Sequence, residues 1–99
     1  MFARVHTLEV TPEQDDRARE IVRDQILPWL RDSTGFRGLI RLAHRGGGKT
    51  LVVTLWADEA TLHASAEAAD RLGDLTAATT GATRLALEDY AVEFFDVDA

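Results

Sequence analysis

The segment Lys49-Thr50-Leu51-Val52-Val53-Thr54-Leu55-Trp56-Ala57 decides the architecture. Successive side chains of a strand point to opposite faces of its sheet. Leu51, Val53 and Leu55 therefore share one face, and Val52, Thr54 and Trp56 share the other. Neither set is built for water, so this strand is expected to be buried on both sides. Just before it stands Gly46-Gly47-Gly48, residues that take positive φ without steric cost, and before those Phe36 to Arg45 reads as another strand. Together they predict a β-hairpin with a glycine turn.

Further out on the N-terminal side, Phe2 to Val10 alternates as a first strand. Phe2, His6, Leu8 and Val10 lie on one side, and Ala3, Val5, Thr7 and Glu9 on the other. It stops at Thr11-Pro12-Glu13-Gln14, where Thr11 suits an N-cap, Pro12 the first helical position and Gln14 the far end of a capping box; Asp15 and Asp16 favour the dipole. Ala18, Ile21, Val22, Gln25, Ile26, Trp29 and Leu30 then recur at helical spacing, with Arg17, Glu20, Arg23 and Asp24 left to solvent. Pro28 predicts a kink or break near Leu27, and the helix is expected to end by Ser33-Thr34-Gly35.

On the C-terminal side, Asp58 is a candidate N-cap for an alanine-rich second helix that Gly73 is expected to end. After a polar connection containing Thr79-Thr80-Gly81, the last strand is expected in the latter part of Ala82 to Val97. The order is βαββαβ in a single domain spanning residues 1–99, an α+β, ferredoxin-like arrangement with an antiparallel four-stranded sheet. Two helices cover only one face of such a sheet. Leu39, Ala91 and Phe95 are read as adding to the apolar surface of the second face, and the simplest cover is the same face of a second copy, giving a homodimer.

Composition removes several classes of function. The 99 residues carry a formal net charge of −6, so a polyanionic partner is disfavoured and no nucleic-acid role is expected. Arg37, Arg41 and Arg45 cluster locally, a spacing that suits an exposed strand face or a dimer rim. There is no cysteine, which removes disulfides and thiolate metal sites and fits a reducing compartment; with no apolar leader or span in the sequence, a cytoplasmic protein without membrane contact is expected.

Three stretches carry a family resemblance: Phe2-Ala3-Arg4-Val5-His6-Thr7-Leu8-Glu9-Val10-Thr11-Pro12, the step Gly35-Phe36-Arg37-Gly38, and Leu55-Trp56-Ala57-Asp58-Glu59-Ala60. With them the chain resembles the antibiotic biosynthesis monooxygenase family of the dimeric α+β barrel superfamily over nearly its whole length. The resemblance implies a homodimer through the sheet face, a pocket between sheet and helices in each subunit, and either cofactor-independent oxidation of electron-rich aromatics or heme degradation. In heme-degrading relatives a first-strand asparagine falls on His6, and the helix tryptophan and histidine fall near Ser65 and Leu75. In aromatic-oxidising relatives a strand asparagine falls on Val52, and a tyrosine and an arginine fall near Leu62 and Thr76. This chain contains no asparagine.

His6 and Trp56 are the leading pocket residues, because the resemblance places both on the sheet face that meets the helices; Thr54 joins them by alternation. A neutral imidazole beside an aromatic wall can take a phenolic proton, after which dioxygen can react with the anion. The bland alternative is a hydrogen-bonded core histidine beside a packing tryptophan. Trp29 either lines the pocket or closes the core at the helix bend, and Tyr90 either donates to a ligand oxygen or anchors backbone. His6, His44 and His63 lie on different elements without metal-ligand spacing, so no metal is expected. Gly48-Lys49-Thr50 imitates the end of a phosphate-binding loop, but Ala43 stands where its first glycine belongs and a strand follows. No cofactor is expected, and a small aromatic or polyketide-like ligand is the candidate partner.

Overall fold

β1 (Phe2–Val10) is a central strand, because its apolar and small residues find cover from neighbours on both edges. It pairs antiparallel with β3 (Gly48–Trp56) and with β4 (Thr83–Ala91), and β2 (Phe36–Ala43) pairs with β3, giving the order β2-β3-β1-β4. This is the ferredoxin-like sheet. The structure, a computed structural model, describes residues 1–66, 70, 74 and 81–98. The expected helix stop at Gly73 and the connection through Thr79-Thr80 lie outside the described residues.

Thr11 caps α1 (Pro12–Ile21) as the sequence predicts: its hydroxyl accepts from the Gln14 amide at 3.2 Å, and the Gln14 side chain accepts from the Thr11 amide at 3.0 Å. The break expected at Pro28 takes a specific form. Residues 22–26 form a π-helical segment, followed by α2 (Leu27–Arg31), and the Leu27 amide bonds to the Val22 carbonyl five residues back. Pro28 has no amide hydrogen and its ring would strike the carbonyl of residue 24 in a regular helix. The wider turn immediately before it relieves that conflict.

The π segment also aims side chains. Residues spaced by four drift by about 40° per step round an α-helix of about 3.6 residues per turn, whereas a π turn holds more residues and turns the stripe back. Ala18, Val22, Ile26 and Leu30 consequently stay on one line, all buried. Ile21, Val22, Ile26, Leu30, Trp56 and Leu62 form the main core cluster, with Phe2, Phe36 and Leu39 packed against it.

Asp58 caps α3 (Glu59–Ala64), its carboxylate accepting from the Thr61 amide at 2.8 Å. Gly35 has φ +80°, and a Cβ there would meet the Thr61 side chain at 2.5 Å, so only glycine lets this turn lie against the start of α3. β4 occupies the earlier rather than the latter part of the final apolar stretch, and Phe94 and Phe95 lie beyond it, exposed.

Two further expectations about faces are corrected by the register. Phe36 opposes Trp56 while Gly38 opposes Leu55, so Arg37 is an extra residue and the parity of β2 flips after it. Leu39 opposes Thr54, and Ala91 opposes Phe2, which puts both on the helix side rather than on the second face. Arg41 likewise points inward and is only 11% exposed, while Arg37 and Arg45 stay in solvent, so the three arginines form no common face. The uncovered face carries Ile40 and Leu42, both exposed, beside the half-buried Leu51 and Val53.

Candidate functional site

Between the sheet and the residue 12–31 helix lies a cavity of about 30 Å³. Its roof is the stripe Ala18, Val22, Ile26 and Leu30, so the π segment stands directly over it. Its floor is set by strand pairing: His6 opposes Val52, and Val52 opposes Arg41, so the three form one rung across β1, β3 and β2. Leu8, Leu39 and Thr54 complete the floor. Most of the wall is apolar, and the polar groups in it are His6, Arg41 and Thr54. A void of this size holds about one water molecule.

His6 is 5% exposed, and its pKa is pushed down to about 4, first by burial and then by the positive charges of Arg84 and Arg4; Asp70 and Asp89 oppose the shift. At neutral pH the ring is therefore uncharged and presents one acceptor nitrogen and one N–H. Burial, the largest cause of the shift, penalises any charge in the same place, an anion included. The site suits a neutral hydrogen-bonding group more than it suits strong proton abstraction.

Thr54 is buried, and its hydroxyl oxygen accepts from Trp56 Nε1 at 3.0 Å. That bond fixes the oxygen and leaves the hydroxyl hydrogen free to donate into the cavity. Trp56 itself is 2% exposed and sits edge-on to Phe36 at 5.6 Å between ring centres, in the core rather than in the cavity wall. Trp29 is 43% exposed and does not line the cavity, although Ile26 and Leu30 beside it do. Tyr90 is 49% exposed; it opposes Ala3, on the side of the sheet away from the helices. Of the five residues singled out in the sequence, the structure brings His6 and Thr54 together at the cavity and places Trp56 behind Thr54, while Trp29 and Tyr90 lie elsewhere.

Two inward-facing arginines are not marked as site residues by the sequence: Arg4, and Arg41, whose spacing suits an exposed strand face. Arg4 is 3% exposed on the helix side of β1, where Nε and NH2 donate to the Asp89 carboxylate at 2.9 and 3.3 Å and NH1 donates to Ser65 Oγ at 2.9 Å. Strict alternation from Phe2 to Val10 places Arg4 on the inward face, and a charge on an otherwise apolar face calls for a partner of the same parity on a neighbouring strand. Arg41 donates from NH2 to Asp15 Oδ1 at 2.6 Å, and Thr50 donates to the same oxygen at 2.6 Å. The arginine and threonine hold the Asp15 carboxyl below its ordinary value against the opposing effect of burial.

The positions carrying the relatives' catalytic residues can also be placed. Val52 is on the cavity floor, Leu62 is a buried core residue, and Ser65 is buried with its hydroxyl bonded to Arg4 and to the Leu62 carbonyl. Leu75 and Thr76 lie outside the described residues. Among the described residues no cluster of histidine, aspartate and glutamate is arranged to hold a metal ion, and no helix is long and apolar enough to cross a membrane.

An antiparallel β2-β3-β1-β4 sheet roofed by helices, with a small, mostly apolar cavity between them, defines a ferredoxin-like α+β domain. Solved structures bear this out over the full chain. The structure matches a Deinococcus radiodurans protein assigned to the antibiotic biosynthesis monooxygenases with a TM-score of 0.74 at 18% identity, covering 100% of both chains. It matches a Streptomyces coelicolor monooxygenase, solved with nanaomycin D, with a TM-score of 0.74 at 15% identity, covering 99% of this chain and 92% of that one. It matches the heme degrader of Mycobacterium tuberculosis, solved with two hemes in its active site, with a TM-score of 0.70 at 23% identity, covering 99% and 100%. No family model and no curated protein matches the sequence. At these identities the likeness establishes the fold.

Proposed function

We propose that this chain is a cytoplasmic, cofactor-independent monooxygenase-like protein that acts on a small aromatic or polyketide-like molecule held in the cavity under the π segment. The observation that carries this reading is a neutral, buried His6 on the floor of an apolar cavity, with one ring nitrogen able to accept from a ligand hydroxyl. His6 accepts the hydrogen bond or the proton of the ligand hydroxyl, and Thr54 donates to a ligand oxygen. The anion is then electron-rich enough to reduce dioxygen. For a methylene next to a conjugated carbonyl, one oxygen atom becomes the new carbonyl and the other leaves as water with the two methylene hydrogens, so the substrate itself supplies the electrons.

Heme as substrate is less well supported by this chain's own residues, since Ser65 stands where the resemblance puts the helix tryptophan and its hydroxyl already donates to the Leu62 carbonyl and accepts from Arg4. A second reading is favoured by the cavity volume of about 30 Å³, far below the roughly 300 Å³ lower bound for small-molecule pockets: a dimeric binding or accessory module without turnover. Oxygen uptake with an anthrone separates the two. The enzyme reading expects protein-dependent uptake that drops at least tenfold in His6→Ala. A loss of twofold or less removes His6 from the mechanism, and no uptake at all favours the module.

Both readings include pairing of two copies through the uncovered sheet face, supported by Ile40 and Leu42 at 43% and 49% exposure. Sedimentation equilibrium is expected to give twice the chain mass of 10.9 kDa. A single-chain mass at micromolar concentration contradicts the pairing.

A further inference from the structure

His6 and Thr54 are buried polar residues with hydrogen-bonding capacity to spare, and both line the cavity. Among the described residues neither ring nitrogen of His6 has a hydrogen-bond partner. Neither nitrogen is sealed off, since Arg41 Nε is the one unpaired side-chain nitrogen or oxygen among the described residues that is closed to a water molecule. The imidazole therefore opens on space that water can enter, and the cavity is such a space. The Thr54 oxygen accepts from Trp56 Nε1 at 3.0 Å, while its own hydrogen has no acceptor among the described residues. Buried polar groups in native proteins are paired, so two such groups at one cavity point to an occupant that bonds to both.

Size and polarity say which occupant. About 30 Å³ is room for one water molecule, and an internal water needs roughly two to four polar partners. The rest of the wall is aliphatic apart from Arg41, which Asp15 holds at 2.6 Å. A wholly aliphatic void would stay dry and admit a gas such as dioxygen or xenon. Here the two unpaired groups decide, because leaving both without partners costs more than immobilising one water.

Strand pairing sets the span. Thr54 opposes Arg4 and His6 opposes Val52, so His6 and Thr54 are diagonal neighbours on the helix side of β1 and β3. Such neighbours have α-carbons about 7–8 Å apart and side chains somewhat closer. They make no direct bond here, and two bonds of about 2.8 Å meeting at one oxygen bridge a gap of that order. Direction is fixed from the other end. Trp56 Nε1 can only donate, so Thr54 accepts from it and donates onward, and an oxygen that receives that hydrogen has its own to give to the acceptor nitrogen of His6. We infer that the cavity binds one water molecule bridging Thr54 Oγ1 and His6, the third link of a one-way chain that runs Trp56, Thr54, water, His6. Trp56 is the positioning residue at its head. The chain goes beyond the function proposed above and does not depend on turnover; under that function a ligand hydroxyl takes the place of the water, accepting from Thr54 and donating to His6.

A crystal structure of the full chain at about 1.2 Å resolution tests the inference. One ordered water is expected in the cavity, within hydrogen-bond reach of Thr54 Oγ1 and of one His6 ring nitrogen. Thr54→Val, which keeps the shape and loses the hydroxyl, is expected to lose that water and to take up xenon in its place under pressure. In solution, Trp56→Phe is expected to move the resonance of the His6 acceptor nitrogen downfield, toward that of an unbonded imidazole, because Thr54 is then free to turn its hydrogen away. A wild-type cavity without the water, or one that fills with xenon at the same pressure as the variant, overturns the inference. A water that Thr54→Val retains overturns the bridge, and an unmoved His6 resonance overturns the one-way chain. The wild-type structure decides even if a variant does not fold, which circular dichroism reports. Anthrone oxidation is read separately, so loss of the water leaves the proposed function standing and absence of oxygen uptake leaves the water.

Discussion

Replacing Asp89 by alanine is expected to lower the free energy of unfolding by about 3 kcal/mol, although its side chain is 42% exposed and a surface aspartate ordinarily contributes little. The reason lies beneath it. Arg4 is 3% exposed and takes both Asp89 oxygens, so the substitution leaves a buried guanidinium with Ser65 as its remaining side-chain partner among the described residues. Asp89→Asn keeps one acceptor oxygen and should cost less. Removing the charge as well, in Arg4→Met with Asp89→Ala, is expected to restore most of the loss, because a buried pair replaced by apolar groups is often near neutral. Urea denaturation of the single and double variants measures this. Losses that simply add in the double variant contradict a coupled buried pair.

The second large effect is on acid stability. The unfolded chain takes up a proton on His6 near pH 6.5, whereas the folded chain does so only near pH 4. Between those values the unfolded state binds more protons, so stability falls as pH falls, by up to about 3 kcal/mol from this residue alone. Above pH 6.5 the contribution is complete, and below pH 4 no further loss comes from His6. His6→Leu is expected to flatten the wild-type slope through this window in denaturant titrations at pH 7, 6, 5 and 4. A variant whose slope between pH 6.5 and pH 4 matches the wild type would show that the imidazole charges in place.

Much of the architecture is legible in the order of residue types, and the misses have a common origin. The alternation in Lys49 to Ala57, the Thr11 and Asp58 caps and the glycine turn are local signals, and each is carried by neighbouring residues. The facing of Leu39 and Arg41 is not local: it depends on Arg37 being the extra residue of a bulge, which appears only when β2 is laid against β3. The partner of Arg41 is equally remote, since Asp15 reads as an ordinary first-turn acid until the helix is folded over the sheet. Pro28 announces a disturbance in the helix, but the π turn that keeps Val22 and Ile26 over the cavity is a choice made by packing.

At the site, His6 and Thr54 are readable from parity, and Trp56 is readable as inward-facing, though its role in orienting Thr54 depends on a side-chain bond set by rotamers, which residue order does not specify. Tyr90 is legible as a strand residue, but its side follows from opposing Ala3. Trp29 fits the helical stripe by spacing, yet the π turn carries the stripe through Ile26 and Leu30 and leaves Trp29 at the surface.

The most direct test of the cavity as the functional site is a chemical-shift titration of the isotopically labelled protein with 1-naphthol, whose hydroxyl offers His6 a proton and whose rings need the apolar roof. The largest shifts are predicted at His6, Val22, Ile26, Val52 and Thr54. Shifts confined to Ile40, Leu42 and Val53 on the uncovered sheet face, or no saturable shift at all, would contradict it.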